Sequence, residues 1–96
     1  MLFMVIERFR DSDMFPIFEK VRRDGRQLPE GLEYIDSWVE VDFSRCFQLM
    51  RCDDPSLLQA WQLQWKDLGV SFETVPVTTS SQTSALLEAL LNSRKA

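Results

Sequence analysis

The chain has 96 residues, the usual size of a single domain, and its 45% hydrophobic and 27% charged residues are typical of globular proteins. With 11 basic and 15 acidic residues its net charge is −4, which argues against binding to nucleic acid or to anionic lipid. The chain has no histidine, which removes His-based triads, His-ligated haem and most familiar zinc or iron sites. We therefore expect neither a metal nor a cofactor.

Residues 1–9 form an apolar run that ends in Glu7-Arg8-Phe9 and predicts a strand buried on both faces. Its apolar part is too short for a secretion signal or a membrane span. The two cysteines, Cys46 and Cys52, lie on one predicted strand, roughly 20 Å apart, which is too far for a disulfide between them. Two free thiols fit a reducing compartment, so we expect a cytoplasmic protein.

A first helix is predicted over residues 14–24. N-cap candidates precede it at Asp11-Ser12-Asp13, and Gly25 is suited to its C-terminal end. Apolar residues at helical spacing give it one buried face, namely Met14, Ile17, Phe18 and Val21. Arg22-Arg23 with Arg26 is most simply a helix end that interacts with the helix dipole.

Two strands over residues 32–41 and 45–52, joined by a turn near Phe43, predict a hairpin. Asp53-Asp54-Pro55 then predicts the start of a second helix, which Gly69 ends. The apolar stripe of this helix includes Leu57, Leu58, Trp61, Trp65 and Leu68, and we expect its two tryptophans to pack in the core.

Residues 70–77 predict a last strand, and Pro76 places it at a sheet edge because proline cannot donate to a ladder. Thr79-Ser80-Ser81-Gln82 matches a capping box, and a leucine-rich helix follows it. We expect residues 1–77 to form the domain. Residues 78–96 would be a polar linker and a C-terminal helix packed on the domain or on a partner.

The order β-α-β-β-α-β with one extra helix predicts an α+β, ferredoxin-like plait. Two right-handed crossovers place both main helices on one face of a four-stranded antiparallel sheet. The other face must then meet solvent, a ligand or another chain.

Alternation along the hairpin divides its residues between the two faces. A turn centred on Phe43 places Trp38 opposite Gln48 and Asp36 opposite Met50, although a slip of one residue would exchange the two faces. On this register the uncovered face carries the candidate ligand-binding residues Tyr34, Asp36, Trp38, Glu40, Gln48 and Met50. An aromatic face of this kind favours a homodimer with sheet packed on sheet, and a solvated face is the alternative.

Acid–base candidates are few. Asp36 would have a raised pKa if it lay in a dry cavity, and a hydrogen bond or a pairing with Arg8 is the alternative. Asp36 and Glu40 are roughly 13 Å apart on a strand, too far to act as a pair of carboxylates. Glu7-Arg8 is more simply a solvated or bridged charge pair.

Several strings resemble a short bacterial family catalogued as domain of unknown function 3303. They are Met1-Leu2-Phe3-Met4-Val5-Ile6-Glu7-Arg8-Phe9, Leu28-Pro29-Glu30-Gly31-Leu32, Asp36-Ser37-Trp38-Val39-Glu40, Arg45-Cys46-Phe47-Gln48-Leu49-Met50 and Phe72-Glu73-Thr74-Val75-Pro76-Val77. The resemblance covers residues 1–77 and leaves the leucine-rich tail, 80–93, outside it. It implies a ferredoxin-like fold of the dimeric α/β-barrel type and implies no activity.

The sequence therefore predicts a cytoplasmic homodimer that binds a small organic molecule between its sheets, or that serves as an interaction or stress-related module. The alternative is a cofactor-independent monooxygenase or isomerase in which Tyr34, Asp36 or Gln48 polarises a substrate. The absence of histidine and of a close acid–base pair favours the first hypothesis.

Overall fold

The computed structural model describes residues 1–95. Its first half contains β1 (Leu2–Phe9), a 3₁₀ turn (Arg10–Ser12), α1 (Phe15–Asp24) and β2 (Glu33–Val39). The second half contains β3 (Arg45–Arg51), α2 (Ser56–Leu63), a 3₁₀ turn (Lys66–Leu68), β4 (Val70–Val77) and α3 (Ser80–Lys95). The described helices include none that is long and apolar enough to cross a membrane.

The four strands form one antiparallel sheet in the order β2-β3-β1-β4. This α+β arrangement is consistent with the ferredoxin-like plait that the element order predicts. Strand β4 lies at the sheet edge, as Pro76 predicts. Helices α1 and α2 pack on one face of the sheet, and the core between the layers contains Ile17, Leu58 and Trp61.

The helix ends follow from the residues predicted to cap them. The Asp13 carboxylate accepts from the Phe15 N–H at 3.0 Å, and the Asp54 carboxylate accepts from the Ser56 N–H at 3.0 Å. Helix α2 ends at Leu63, earlier than Gly69, because the chain tightens into a 3₁₀ turn before the left-handed Gly69. Trp65 therefore lies at the N-terminal end of that turn.

Strand β1 has one buried face only, which corrects the prediction of a strand buried on both faces. Phe3, Val5, Glu7 and Phe9 alternate into the layer beneath the helices, and the intervening side chains stay partly exposed. Glu7 is therefore in phase with core residues. Only 4% of its surface is exposed, so it is not the solvated acid expected from the sequence.

The predicted hairpin register is wrong by one residue. Trp38 pairs with Phe47 and Asp36 pairs with Leu49, because a four-residue turn places the hairpin's centre between Asp42 and Phe43. A β-bulge between Tyr34 and Asp36 shifts the register once more. The slip exchanges the two faces along β3 and the bulge exchanges them at Tyr34, whereas residues 36–39 keep their predicted faces.

We call the sheet surface away from α1 and α2 the open face. Its apolar centre lies on β1, β3 and β4, with Trp38 of β2 beside it. Its members are Leu2, Met4, Ile6, Arg8, Asp36, Trp38, Arg45, Phe47, Leu49, Arg51, Ser71, Glu73, Val75 and Val77. Helix α3 does not cover this face, because every described residue of α3 is exposed.

Helix α3 extends away from the two-layer body. The molecule measures 57 × 31 × 18 Å and has a radius of gyration of 16.7 Å. A compact chain of this length would have a radius of about 12.5 Å. Thr79 and Gln82 form the predicted capping box, in which each backbone N–H donates to the other side chain, at 3.1 and 3.2 Å.

Candidate functional site

A chamber of about 160 Å³ lies between the sheet and the helices. The sheet forms the floor of the chamber and helices α1 and α2 form its roof. Arg26, in the loop that follows α1, closes one side. The lining residues are Glu7, Phe9, Met14, Ile17, Phe18, Val21, Arg26, Ser37, Val39, Cys46, Gln48, Trp61 and Trp65. Most of this lining is apolar, so its few polar atoms would orient any molecule bound there.

Glu7 and Gln48 form a buried polar pair at the floor of the chamber. They lie on the neighbouring strands β1 and β3, and the Gln48 side-chain amide donates to the Glu7 carboxyl. Only 4% of Glu7 and 7% of Gln48 is exposed. A buried carboxyl that accepts a single neutral hydrogen bond keeps unused capacity to bond.

Two further polar atoms of the chamber residues are buried without a hydrogen-bond partner in residues 1–95. They are the Gln48 side-chain carbonyl oxygen and the Trp65 indole Nε1. The first requires a donor and the second an acceptor. Trp61 differs, since its indole N–H donates to the Arg26 carbonyl at 2.8 Å. Leaving a buried polar group unpaired costs about 1–3 kcal/mol, so such atoms call for a ligand or water.

Burial raises the pKa of Glu7 from its ordinary 4.5 to about 7, and the positive charge of Arg26 opposes that rise. Near neutral pH the carboxyl is therefore divided between its protonated and ionised forms. A carboxyl in this state can both give and take a proton, which suits general acid–base chemistry.

The chamber thiol is not a nucleophile. Burial, with a smaller effect from the charge of Glu7, raises the pKa of Cys46 to about 11, so it stays protonated at neutral pH. Within residues 1–95, no three His, Cys, Asp or Glu side chains are grouped to hold a metal ion.

The six predicted ligand-binding residues do not share a surface. Tyr34, Gln48 and Met50 belong to the helix-covered side of the sheet, where Gln48 lines the chamber and Met50 is fully buried in the core. Arg26 stacks on the Tyr34 ring at 3.7 Å, and the Tyr34 hydroxyl lies 2.5 Å from the Ser37 hydroxyl. Their assignment to the uncovered face is wrong, because the register differs by one residue at Gln48 and Met50 and because the β-bulge turns Tyr34 to the other face.

The other three lie outside the chamber. Asp36 and Trp38 belong to the open face, and Trp38 is 51% exposed. The Asp36 carboxylate accepts from the Ser37 N–H at 2.8 Å, and Arg8 pairs with Glu73 at 2.9 Å. Glu40 closes the hairpin by pairing with Arg45, which lowers the pKa of Glu40.

Glu7 and Trp65 are the site residues that the sequence analysis did not assign. The alternation of β1 contains the necessary information about Glu7, because it occupies the same side as Phe3, Val5 and Phe9. Trp65 packs in the core as predicted, with its ring 6.4 Å from Trp61. Nothing in the sequence indicates that the Trp65 N–H is unpaired while the Trp61 N–H is paired.

Of the comparisons with known proteins, the comparison with family models gives a match. Neither the curated proteins nor the solved structures contain a match to the chain. A family model matches residues 1–91, so the resemblance continues beyond residue 77 and through most of α3, which was expected to lie outside it. The chain therefore belongs to the family described as Domain of unknown function (DUF3303).

Proposed function

We propose that this protein binds a small neutral organic molecule in the chamber between the sheet and the helices. The observation that carries the proposal is the pair of unpartnered atoms there, the Gln48 carbonyl oxygen and the Trp65 N–H. A binding site commonly combines an apolar wall with a few convergent polar groups. The ligand position expected from the sequence, between two sheets, is thereby moved to the other side of the sheet.

The polar atoms define the chemistry of the ligand. A hydroxyl group satisfies both, since it donates to Gln48 and accepts from Trp65. When Glu7 is ionised its charge offsets that of Arg26, so the chamber in that state favours neither an anion nor a cation. The remaining wall, which includes Ile17, Val21 and Trp61, selects an apolar or aromatic body.

Phenol and toluene form a matched pair of probes, because they differ mainly in the hydroxyl group. We expect phenol to bind more tightly and to shift the Trp65 indole N–H resonance in ¹⁵N–¹H NMR spectra, with Trp65→Phe identifying the peak. Gln48→Leu should remove the preference for phenol over toluene. Gln59→Leu, on the exposed side of α2, should preserve it.

Equal binding of the two probes would overturn the proposal, because the polar atoms would then contribute nothing. No binding of either at millimolar concentration would also overturn it. In that case the chamber holds water alone, which can satisfy the same two atoms.

A second candidate function is an isomerase that needs no cofactor, and the raised pKa of Glu7 favours it. Ionised Glu7 would take a proton from carbon next to a ligand carbonyl. The Trp65 N–H would stabilise the enolate oxygen, and protonated Glu7 would return the proton to another carbon. These two proton transfers need no oxidant, whereas a monooxygenase reaction would also require dioxygen.

The conversion of cyclohex-3-enone to cyclohex-2-enone tests this candidate, and ultraviolet absorbance measures its rate. Catalysis should increase with pH through about 7 as Glu7 ionises, and Glu7→Gln should abolish it. If the protein binds phenol but does not isomerise the enone, the binding function stands and the isomerase is excluded. Turnover that survives in Glu7→Gln would exclude Glu7 as the base.

We also propose a cytoplasmic homodimer of the dimeric α/β-barrel type, with the open faces of two copies packed together. The apolar centre of the open face supports it, including Ile6, Phe47 and Leu49. Packing on a second copy is the usual way to cover such a face by a two-fold axis. Free, buried Cys46 and Cys52 support a reducing compartment.

Sedimentation velocity at micromolar concentration tests this assembly. We expect the mass of two chains, and the mass of one chain for Phe47→Glu, because a buried unpaired charge is costly. Leu63→Glu is the matched control, since Leu63 is 63% exposed on α2 and should stay dimeric. A monomeric unsubstituted protein would overturn the proposed dimer.

A further inference from the structure

Helix α3 carries an apolar stripe that no other part of residues 1–95 covers. Leu86 and Leu90 are four residues apart, as are Leu87 and Leu91, so the four leucines share one helix face. They are 51–59% exposed. A 16-residue helix that stands alone is only marginally stable in water. The stripe therefore requires a partner surface.

The body of the same chain is not that surface. The capping box of Thr79 and Gln82 and the contact of the Thr78 and Thr83 hydroxyls at 3.0 Å fix the first turn of α3. From there α3 leads away from the body and gives the molecule its 57 Å length. Residues 80–95 are all exposed, so the leucines of α3 do not pack on the body.

A groove at the end of the sheet opposite to the start of α3 could accept the leucine stripe. It has a volume of about 390 Å³ and is lined by Asp11, Ser12, Asp13, Met14, Phe15, Phe18 and Phe43. We call it the aromatic groove, because three phenylalanines form its walls and are 56–74% exposed. Phe43 is held at φ 65°, a conformation that bulky residues rarely adopt.

The aromatic groove cannot be reached by the α3 of its own chain. Strand β4 begins beside Phe9, near the groove, and ends beside Leu2, where α3 starts. The seven residue steps of this strand separate its two ends by roughly 23 Å, and α3 leads further away. An α3 from a second copy is free of this restriction.

The charges of the two surfaces are complementary. Asp11 and Asp13 lie in the groove, while Arg94 and Lys95 follow the leucine stripe at the end of α3. Within residues 1–95, none of these four takes part in an ion pair. Leucines on phenylalanines and bases on acids would satisfy both surfaces.

We propose that α3 is an exchanged arm, whose leucines dock in the aromatic groove of a second copy of this chain. The inference rests on the proposed homodimer, and a two-fold axis makes the exchange reciprocal. Met14 and Phe18 line both the groove and the chamber, so the docked arm lies at the chamber's mouth. Each copy thereby helps to enclose the ligand of the other.

Cross-linking of mixed chains tests the exchange. One chain carries Ser93→Cys beside the leucines and the other carries Ser12→Cys in the groove, so no leucine or phenylalanine is removed. A short bis-maleimide should join the two chains when they are mixed. Gln59→Cys replaces Ser12→Cys in the matched control, because Gln59 is exposed on α2 outside the groove, and Cys46 and Cys52 are buried.

The outcomes separate the arm from the dimer. A cross-link in the Ser12→Cys mixture well above that of the Gln59→Cys mixture supports the exchange. A two-chain mass with no such excess overturns the exchange and leaves the homodimer standing. A one-chain mass for the unsubstituted protein overturns both. A cross-link within single chains that carry both cysteines overturns the exchange alone.

Charge reversal supplies a second measurement. Arg94→Asp with Lys95→Asp should weaken the dimer roughly two- to five-fold, and Asp11→Lys should restore its affinity, as expected for exposed ion pairs. Asp13 is left unchanged because it caps α1. If adding Asp11→Lys to the Arg94→Asp, Lys95→Asp variant weakens its dimer further, the proposed docking is contradicted.

Discussion

Gln48 of β3 donates a hydrogen bond across the sheet to the carboxyl of Glu7 on β1, in the layer beneath the helices. Each of the two side chains is more than nine-tenths buried. This contact brings a titratable group into the core and, with Trp65, gives the chamber its polar character.

Glu7 should make the stability of the protein depend on pH. Its pKa rises from 4.5 in the unfolded chain to about 7 in the folded protein. The folded state therefore binds more protons between these values, and stability falls as pH rises from about 4.5 to about 7. The loss should approach about 3 kcal/mol above pH 7.

Urea unfolding at pH 5 and at pH 8 measures this effect. Glu7→Gln keeps an acceptor for Gln48 but does not titrate, so its stability should change much less between the two conditions. The lowered pKa values of Glu40, Asp42 and Asp54 place their titrations below this window. An equal loss in Glu7→Gln would show that another group is responsible.

The tryptophans should differ sharply in their contribution to folding. Trp61 is 2% exposed, packs edge-on against Phe72 at 5.8 Å and donates to Arg26, so Trp61→Ala should cost about 3–5 kcal/mol. Trp38 is half exposed on the open face. Trp38→Ala should lower the unfolding free energy of the monomer by less than about 1 kcal/mol and should weaken the dimer instead.

Denaturation at low protein concentration, combined with sedimentation, separates these two effects. Similar unfolding free energies for both variants would contradict the assignment of Trp38 to the open face and Trp61 to the core.

Gly69 should resist substitution because of its backbone. It ends the turn after α2 at φ 76°, where a side chain at Cβ is strained. Gly69→Ala should cost about 1–2 kcal/mol. Gly69→Asn should cost less, because asparagine adopts this conformation more readily. Thermal unfolding compares the two, and an equal cost would indicate crowding by the adjacent Arg10 side chain as the cause.

The cysteines should be unreactive in the folded protein. Burial raises the pKa of Cys46 to about 11 and also raises that of Cys52. Ellman's reagent at pH 8 should therefore react with the native protein at least about a hundred-fold more slowly than with the urea-unfolded chain. Cys46→Ser isolates Cys52. Rapid labelling of either native thiol would contradict its burial.

Local sequence features predict most of the secondary structure correctly. The caps at Asp13 and Asp54, the capping box at Thr79 and the edge position of β4 all depend on residues within a few positions of one another. Each has a local physical cause, namely a side chain that bonds a nearby N–H or a proline that cannot donate. The order of the elements then restricts the sheet topology to a few alternatives.

The candidate site was less predictable. The face of the hairpin depends on whether its turn is centred on Phe43 or half a residue earlier, and on a bulge after Tyr34. Neither follows from propensity, because both centres leave a similar mixture of apolar residues on each side. This half-residue difference moved Gln48 from the open face into the chamber.

The sequence by itself determined the elements, their order and the family of this protein, because those depend on local chemistry and on strings of neighbouring residues. Only the tertiary structure decided the register, the burial of Glu7 and the unpaired Trp65 N–H. These depend on which atoms distant segments bring to the same place, and hydrogen-bond partners of that kind are chosen by packing.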